Sequence, residues 1–316
     1  MTFLLMSFVS FFSFPETEIS NGMMHLRVYL PDPETGYYRG TRFDWSGLIP
    51  GIEYDGHTFS GQWFEKYDPI RHDAVMGPVE AFSPLGYKEA GTGGKFVKIG
   101  VGTLIKKDSG SYSPYRYYEI SNPGIWKVKI KSGQVVFSHT LIDSTYSYEY
   151  KKTIQLKAGK PVMEIDHQLK NTGKNLIETE VYDHNFFLID NQKISAQCFI
   201  RFPFNVTEKK EGQGLGELAS IRGKEIVINR SFLKTEQAYT RLEGFQPVAK
   251  DYDIQIENLH TGAGVRISAD QPMSKLIFWA CSTIFCPEPY IQLKINPGET
   301  VKWKISYKFY TCHIQP

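Results

Sequence analysis

Four short stretches of the chain carry side chains able to move protons or grip a polar ligand, and the first is Val181-Tyr182-Asp183-His184-Asn185-Phe186-Phe187-Leu188. On a strand, His184 shares a face with Tyr182, Phe186 and Leu188, while Asp183 and Asn185 point the other way. Imidazole titrates nearest neutral pH, so a histidine set among aromatics is a candidate general acid or base. The plainer account of such a ring is a hydrogen-bonded core histidine. The second stretch is Cys286-Pro287-Glu288-Pro289-Tyr290. Neither proline can donate to a β-ladder, which predicts a stiff rim or edge holding Glu288 just ahead of a strand from Ile291 to Ile295. There Glu288 is a positioned general base or, more simply, an exposed loop carboxylate.

The third stretch runs Arg39-Gly40-Thr41-Arg42-Phe43-Asp44-Trp45-Ser46-Gly47. Arg42 and Asp44 fall on one face of a predicted strand, as a local ion pair would require. The alternative is a guanidinium fork that grips hydroxyls or a carboxylate. The fourth, Arg71 to Glu80, sets His72, Asp73 and Glu80 around a Gly77-Pro78 turn. Charges in loops are mostly solvated, although loops on a rigid scaffold also carry binding residues. Cys198, Cys281, Cys286 and Cys312 make no C-x-x-C pair and no zinc-type spacing with histidine, so no metal site is expected. Cys198 and Cys281 lie in apolar runs, where a free thiol is a small buried hydrophobe.

The elements that must hold these residues are strands. Val301, Trp303, Ile305, Tyr307 and Phe309 alternate with Lys302, Lys304, Ser306 and Lys308, the pattern of a strand with one wet face. Trp126, Val128 and Ile130 alternate with lysines in the same way, and so do the runs from Tyr146 to Leu156, Met163 to Leu169 and Ile291 to Ile295. Turn signals separate them, among them Asn122-Pro123-Gly124, Asn171-Thr172-Gly173 and Asn296-Pro297-Gly298. No long stretch shows an apolar period of 3.6 residues, so helices should be few and short. The pattern predicts an all-β chain, a large antiparallel two-sheet sandwich. Residues 50–95 differ in texture and read as a long loop whose Phe59, Trp63, Phe64 and Phe82 argue for order. Gly91-Thr92-Gly93-Gly94 lacks the lysine and hydroxyl of a phosphate loop and reads as a hairpin turn.

Composition agrees. A chain of 316 residues buries roughly 75% of the surface it exposes when unfolded, enough for a large core. Against 36 Lys+Arg stand 34 Asp+Glu, so the basic footprint of a nucleic-acid binder is missing and no nucleic-acid partner is expected. Aromatic residues at 14% suit pleated, half-buried surfaces, and 27 Gly with 17 Pro supply the turns. The apolar run Met1 to Phe14 is shorter than the 17 or so residues a membrane-spanning helix needs. It fits the core of a signal peptide, so residues 1–20 are expected to be a leader and the product periplasmic or secreted; the alternative is a disordered or packed N-terminal arm on a cytoplasmic protein. No linker interrupts residues 21–316, which are expected to form a single domain.

The order of these parts resembles the galactose mutarotase (aldose 1-epimerase) superfamily. The likeness rests on Gly40-Thr41-Arg42, on His72 to Gly77, on His184-Asn185-Phe186-Phe187, and on Glu288 followed by Asn296-Pro297-Gly298-Glu299, and it spans roughly residues 22–310. The family's early Asn-x-Leu-His-Gly-Gly is replaced here by Arg71-His72-Asp73-Ala74-Val75-Met76-Gly77. The resemblance implies a β-supersandwich with a carbohydrate cleft, a catalytic histidine at His184 and a catalytic glutamate at Glu288.

On that footing the expected activity is interconversion of the anomers of a free sugar. Ring opening needs a proton given to the ring oxygen and one taken from the anomeric hydroxyl, so an acid and a base must flank C1. His184 is the expected acid and Glu288 the base, without metal or organic cofactor. Arg42 and His72 would hold hydroxyls, and Trp45, Trp63 or Tyr182 would supply stacking surface. In the pH profile the acidic limb would report Glu288 and the alkaline limb His184. Two other readings use the same architecture: a lyase-like enzyme processing acidic polysaccharides, and a carbohydrate-binding protein without turnover. Both also take a mono- or oligosaccharide partner.

Overall fold

The computed structural model describes residues 14–312; the leader expected over residues 1–20 lies largely outside them. Among the described residues the regular elements are strands and two single-turn 3-10 segments. Two sheets dominate. The larger has ten strands, in spatial order Ala219–Arg222, Glu225–Ile228, Cys198–Arg201, Asp253–Asn258, Ala263–Ala269, Thr300–Thr311, Val162–Asn171, Tyr148–Leu156, Gln134–Leu141 and Ile125–Lys131. The second has six, in order Thr207–Gly214, Ala238–Glu243, Lys275–Ala280, Phe285–Ile295, Ile177–Phe186 and Gly77–Phe82. All pairings in both are antiparallel.

Apart from the Trp126–Ile130 run, where Ile130 is exposed and Trp126 and Val128 only half-buried, the alternating sequence patterns become the inner faces. Trp303, Ile305, Tyr307 and Phe309 are buried, and so are Met163, Ile165, His167 and Leu169 on the neighbouring strand. They meet the six-stranded sheet through contacts such as Phe82 against Trp303 and Phe187 against Tyr307. Period-two burial on two facing sheets yields one contiguous core. The lysine-rich strand Ile125–Lys131 is the outer edge of the larger sheet, where charged side chains discourage further pairing.

The stretch 50–95 is not one long loop. It contributes Gly77–Phe82, a fully buried strand that pairs with Ile177–Phe186, with Asp183 opposite Glu80 and His184 opposite Val79. Nor is Arg39–Gly47 a strand; it is an irregular segment laid across the outer face of the six-stranded sheet, with its own apolar cluster around Phe43, Phe186 and Tyr38.

Glu288 also departs from expectation. It lies not on a rim but inside the strand Phe285–Ile295, which has neighbours on both sides. Backbone pairing with Ile177–Phe186 ends at Tyr182–Tyr290, short of both prolines, while pairing with Lys275–Ala280 continues to Phe285. The Pro287 carbonyl points toward the unpaired side, where it accepts from the Asn185 side chain. Both prolines, two residues apart, therefore turn their missing N–H groups to the side where the ladder has already stopped.

Candidate active site

His184 and Glu288 come together because their strands are neighbours in the six-stranded sheet. Their side chains, 4% and 5% exposed, meet with Nε2 3.2 Å from Oε1. They form the floor of a cavity of about 510 Å³ whose walls include Arg42, Trp63, His72, Tyr115, Tyr182, Trp279 and Tyr290. The His184 ring is clamped: it stacks on Phe186 at 3.7 Å between centroids and meets Phe43 and Trp279 edge-on. Its Nδ1 lies 3.0 Å from the Cys286 sulfur. The two ring nitrogens thus have different partners, a thiol and a carboxylate.

Arg42 is the positive charge beside this pair. Its Nε and Nη2 donate to the Tyr182 hydroxyl at 3.3 and 3.2 Å, and its guanidinium packs over the Phe43 and Tyr115 rings at 4.6 and 5.4 Å. Burial works against the charge, but Tyr182 and Glu288 outweigh it and hold Arg42 protonated. Asp44, expected on the same face, points elsewhere: it binds Ser46 and Tyr150 beneath the sheet, so the two residues form no ion pair.

Electrostatics sets the pair's resting state. Burial, helped by Arg42, holds His184 well below the usual imidazole value. Burial raises Glu288 to about 7, against the pull of Arg42 and Lys275. Both shifts oppose two full charges in a dry site, so below about pH 7 the favoured state is a neutral His184 beside a protonated Glu288. Tyr182 is pushed by burial to about 12, Arg42 opposing, and stays a phenol.

Of the residues singled out from sequence, Arg42, Trp63, His72, Tyr182, His184 and Glu288 all face this cavity. Trp45 does not. It is 2% exposed in the cluster behind the cavity wall, and its indole N–H donates to the Gly40 carbonyl at 2.8 Å. Its role is packing. Sequence reasoning missed Tyr115, Trp279, Tyr290 and Cys286. The last could have been found, because Cys286, Glu288 and Tyr290 share one strand face by the period-two rule.

The N, S and O donors of His184, Cys286 and Glu288 lie within 4.8 Å of one another. The thiol faces Nδ1 and the carboxylate Nε2, however, and each ring nitrogen binds an ion along its own diverging lone pair. A larger cavity of about 920 Å³ beside Tyr87, Tyr112 and Tyr146 contains Lys106, whose ammonium is already held by the Tyr87 and Ala90 carbonyls.

The whole fold has solved counterparts. A galactose mutarotase related enzyme from Lactobacillus acidophilus superposes with a TM-score of 0.60 at 10% identity, covering 94% of this chain and 98% of that one. The aldose epimerase homologue from C. elegans gives 0.59 at 10% identity, covering 95% and 100%. A galactose mutarotase-like protein from Clostridium acetobutylicum gives 0.57 at 12%, covering 93% and 94%. No family model and no curated protein matches the sequence. The chain therefore has the galactose mutarotase-like fold, over nearly its full length.

Proposed function

We propose that the protein is an aldose 1-epimerase that interconverts the anomers of a free sugar, with His184 and Glu288 as its acid–base pair. The observation that carries this reading is the 3.2 Å contact between Nε2 and Oε1 at the floor of an aromatic, arginine-bearing cavity. Two groups this close in one cavity can both reach a single anomeric centre.

The reaction needs one proton in the pair. With that proton on Nε2, His184 protonates the ring oxygen while the Glu288 carboxylate takes the proton of the anomeric hydroxyl. The C1–ring-oxygen bond breaks and an open-chain aldehyde forms. After rotation about C1–C2, the ring hydroxyl attacks the other face of the carbonyl. His184 then recovers its proton from that hydroxyl and Glu288 returns one to the new anomeric oxygen, so both groups end as they began. Arg42 stabilises the transient carboxylate and, with His72, offers donors to sugar hydroxyls. Trp63 and Trp279 give apolar faces for the sugar's C–H side.

Polarimetry on a panel of freshly dissolved aldoses tests the proposal. Wild type should accelerate the approach to anomeric equilibrium for at least one sugar, and His184→Ala should remove that acceleration; equal rates for the two proteins would reject the assignment.

A further inference from the structure

We propose that Cys286 is the positioning residue of the acid–base pair: its sulfur accepts a hydrogen bond from His184 Nδ1–H, pins one ring proton there and leaves Nε2 as the only working nitrogen. The proposal rests on the acid–base reading of His184 and Glu288.

The geometry leaves little choice of partner. Sγ lies 3.0 Å from Nδ1, and the Glu288 carboxylate is 3.2 Å from Nε2. Cys286 stands two residues before Glu288 on one strand, so the same face delivers both groups to the two nitrogens of one ring. The stacked Phe186 ring and the edges of Phe43 and Trp279 hold that ring in place. The titratable and charged groups around it are Glu288, Cys286 and Tyr290 on the neighbouring strand, Tyr182 on its own strand, Arg42 on the crossing segment, and His72, Asp73, Tyr115 and Tyr239 on the same cavity's walls.

The direction of the bond follows from where the thiol proton goes. Cys286 Sγ donates to the Pro287 carbonyl at 3.7 Å, which leaves the sulfur to accept from Nδ1–H. With its own proton held on Nδ1, the ring takes up and returns the working proton at Nε2. Cys286 is fully buried, and burial, with Glu288 adding to it, pushes its ionisation far up, so the partner stays a neutral thiol. A carboxylate in its place would make the imidazole more basic and retain the proton. A weak acceptor orients the ring without doing so.

Ring-nitrogen NMR of the 15N-histidine-labelled protein, together with pH profiles of three variants, tests this. Wild-type His184 should show Nδ1 protonated at pH values where the pair holds one proton. Cys286→Ser should keep that tautomer and most of the activity. Cys286→Ala should move the neutral ring toward the Nε2–H tautomer and lower kcat/KM about tenfold or more. Cys286→Asp should raise the lower pH limb by about one unit or more. An unprotonated Nδ1 in wild type, or Ala and Asp variants with unaltered tautomer and pH limbs, would overturn the proposal. A wild type without mutarotase activity but with Nδ1–H toward sulfur would instead overturn the enzymatic reading alone. Should Cys286→Ala not fold, the wild-type spectrum and the Ser and Asp variants still decide.

Discussion

The side-chain amide of Asn185 donates to the backbone carbonyl of Pro287 at 2.9 Å, just beyond the last backbone pair between their two strands. This bond ties the proline-bearing end of the Glu288 strand to the strand that carries His184. It stands in for a ladder that proline cannot complete.

Asn185→Ala should therefore act on geometry more than on chemistry. Losing one buried bond costs roughly 1–3 kcal/mol of stability. Because displacements of about 1 Å can cost on the order of 100-fold in rate, kcat should fall well beyond what the stability loss explains. Denaturant titration beside polarimetry measures both, and a destabilised variant with unchanged kcat would show that the bond does not position Glu288.

The pH dependence inverts the simplest expectation from sequence. Burial lowers His184 and raises Glu288 to about 7, so the active, singly protonated pair is bounded above by loss of its last proton and below by uptake of a second. The alkaline limb of kcat/KM should fall near 7 and vanish in Glu288→Gln. The acidic limb, reporting His184, should lie below ordinary imidazole titration. Limbs in the reverse order would contradict the burial argument.

The two tryptophans should separate cleanly. Trp63 lines the cavity and stacks on Phe186, whereas Trp45 is packed behind its wall. Trp63→Ala should raise KM several-fold. Trp45→Phe should leave KM alone and reduce stability by roughly 1–3 kcal/mol, the loss of a well-packed buried group and its hydrogen bond. Steady-state kinetics with thermal unfolding distinguishes the two, and a KM effect from Trp45→Phe would return that residue to the site.

Beneath the site lies a dry charge cluster in which Lys152 binds Glu80 and the Ser46 carbonyl, and His167 Nε2 meets the other Glu80 oxygen at 2.8 Å. Burial pushes Glu80 up, but Lys152 and His167 outweigh it and hold its carboxyl below the ordinary range. Its stabilising contribution is thus present above the unfolded-state value of 4.5 and fades as pH falls through the lower folded value. Lys152→Met should cost roughly 3–5 kcal/mol near neutrality by stranding a buried carboxylate. The gap from wild type should narrow in acid as Glu80 takes a proton. Urea titrations at a series of pH values measure it, and a gap independent of pH would exclude the pairing as its source.

Strand class and inner faces were legible because burial on one face imposes a period of two that survives in runs such as Val301–Phe309. His184 was legible for the same reason. Arg42 was found, but its setting was not, since Arg39–Gly47 alternates like a strand while tertiary packing against Phe186 and Tyr182 makes it an irregular brace. Glu288 was misplaced because prolines argue locally against a central strand. Only the neighbouring strand, ending its ladder at Tyr182 and offering Asn185, reveals why they are tolerated. Trp45 and Trp63 could not be told apart, because an aromatic behind a cavity wall and one in front of it have the same local sequence signature.

The central claim is that Glu288 transfers a proton at the anomeric centre rather than only lining a sugar pocket. Exchange NMR between the α and β signals of a turned-over aldose, run beside calorimetric titration of the same sugar, tests it most directly. Glu288→Gln should still bind the sugar, within about tenfold of wild type, while enzyme-catalysed anomer exchange falls by on the order of 100-fold or more. Undiminished exchange in that variant, or binding without exchange in the wild type, would contradict the account.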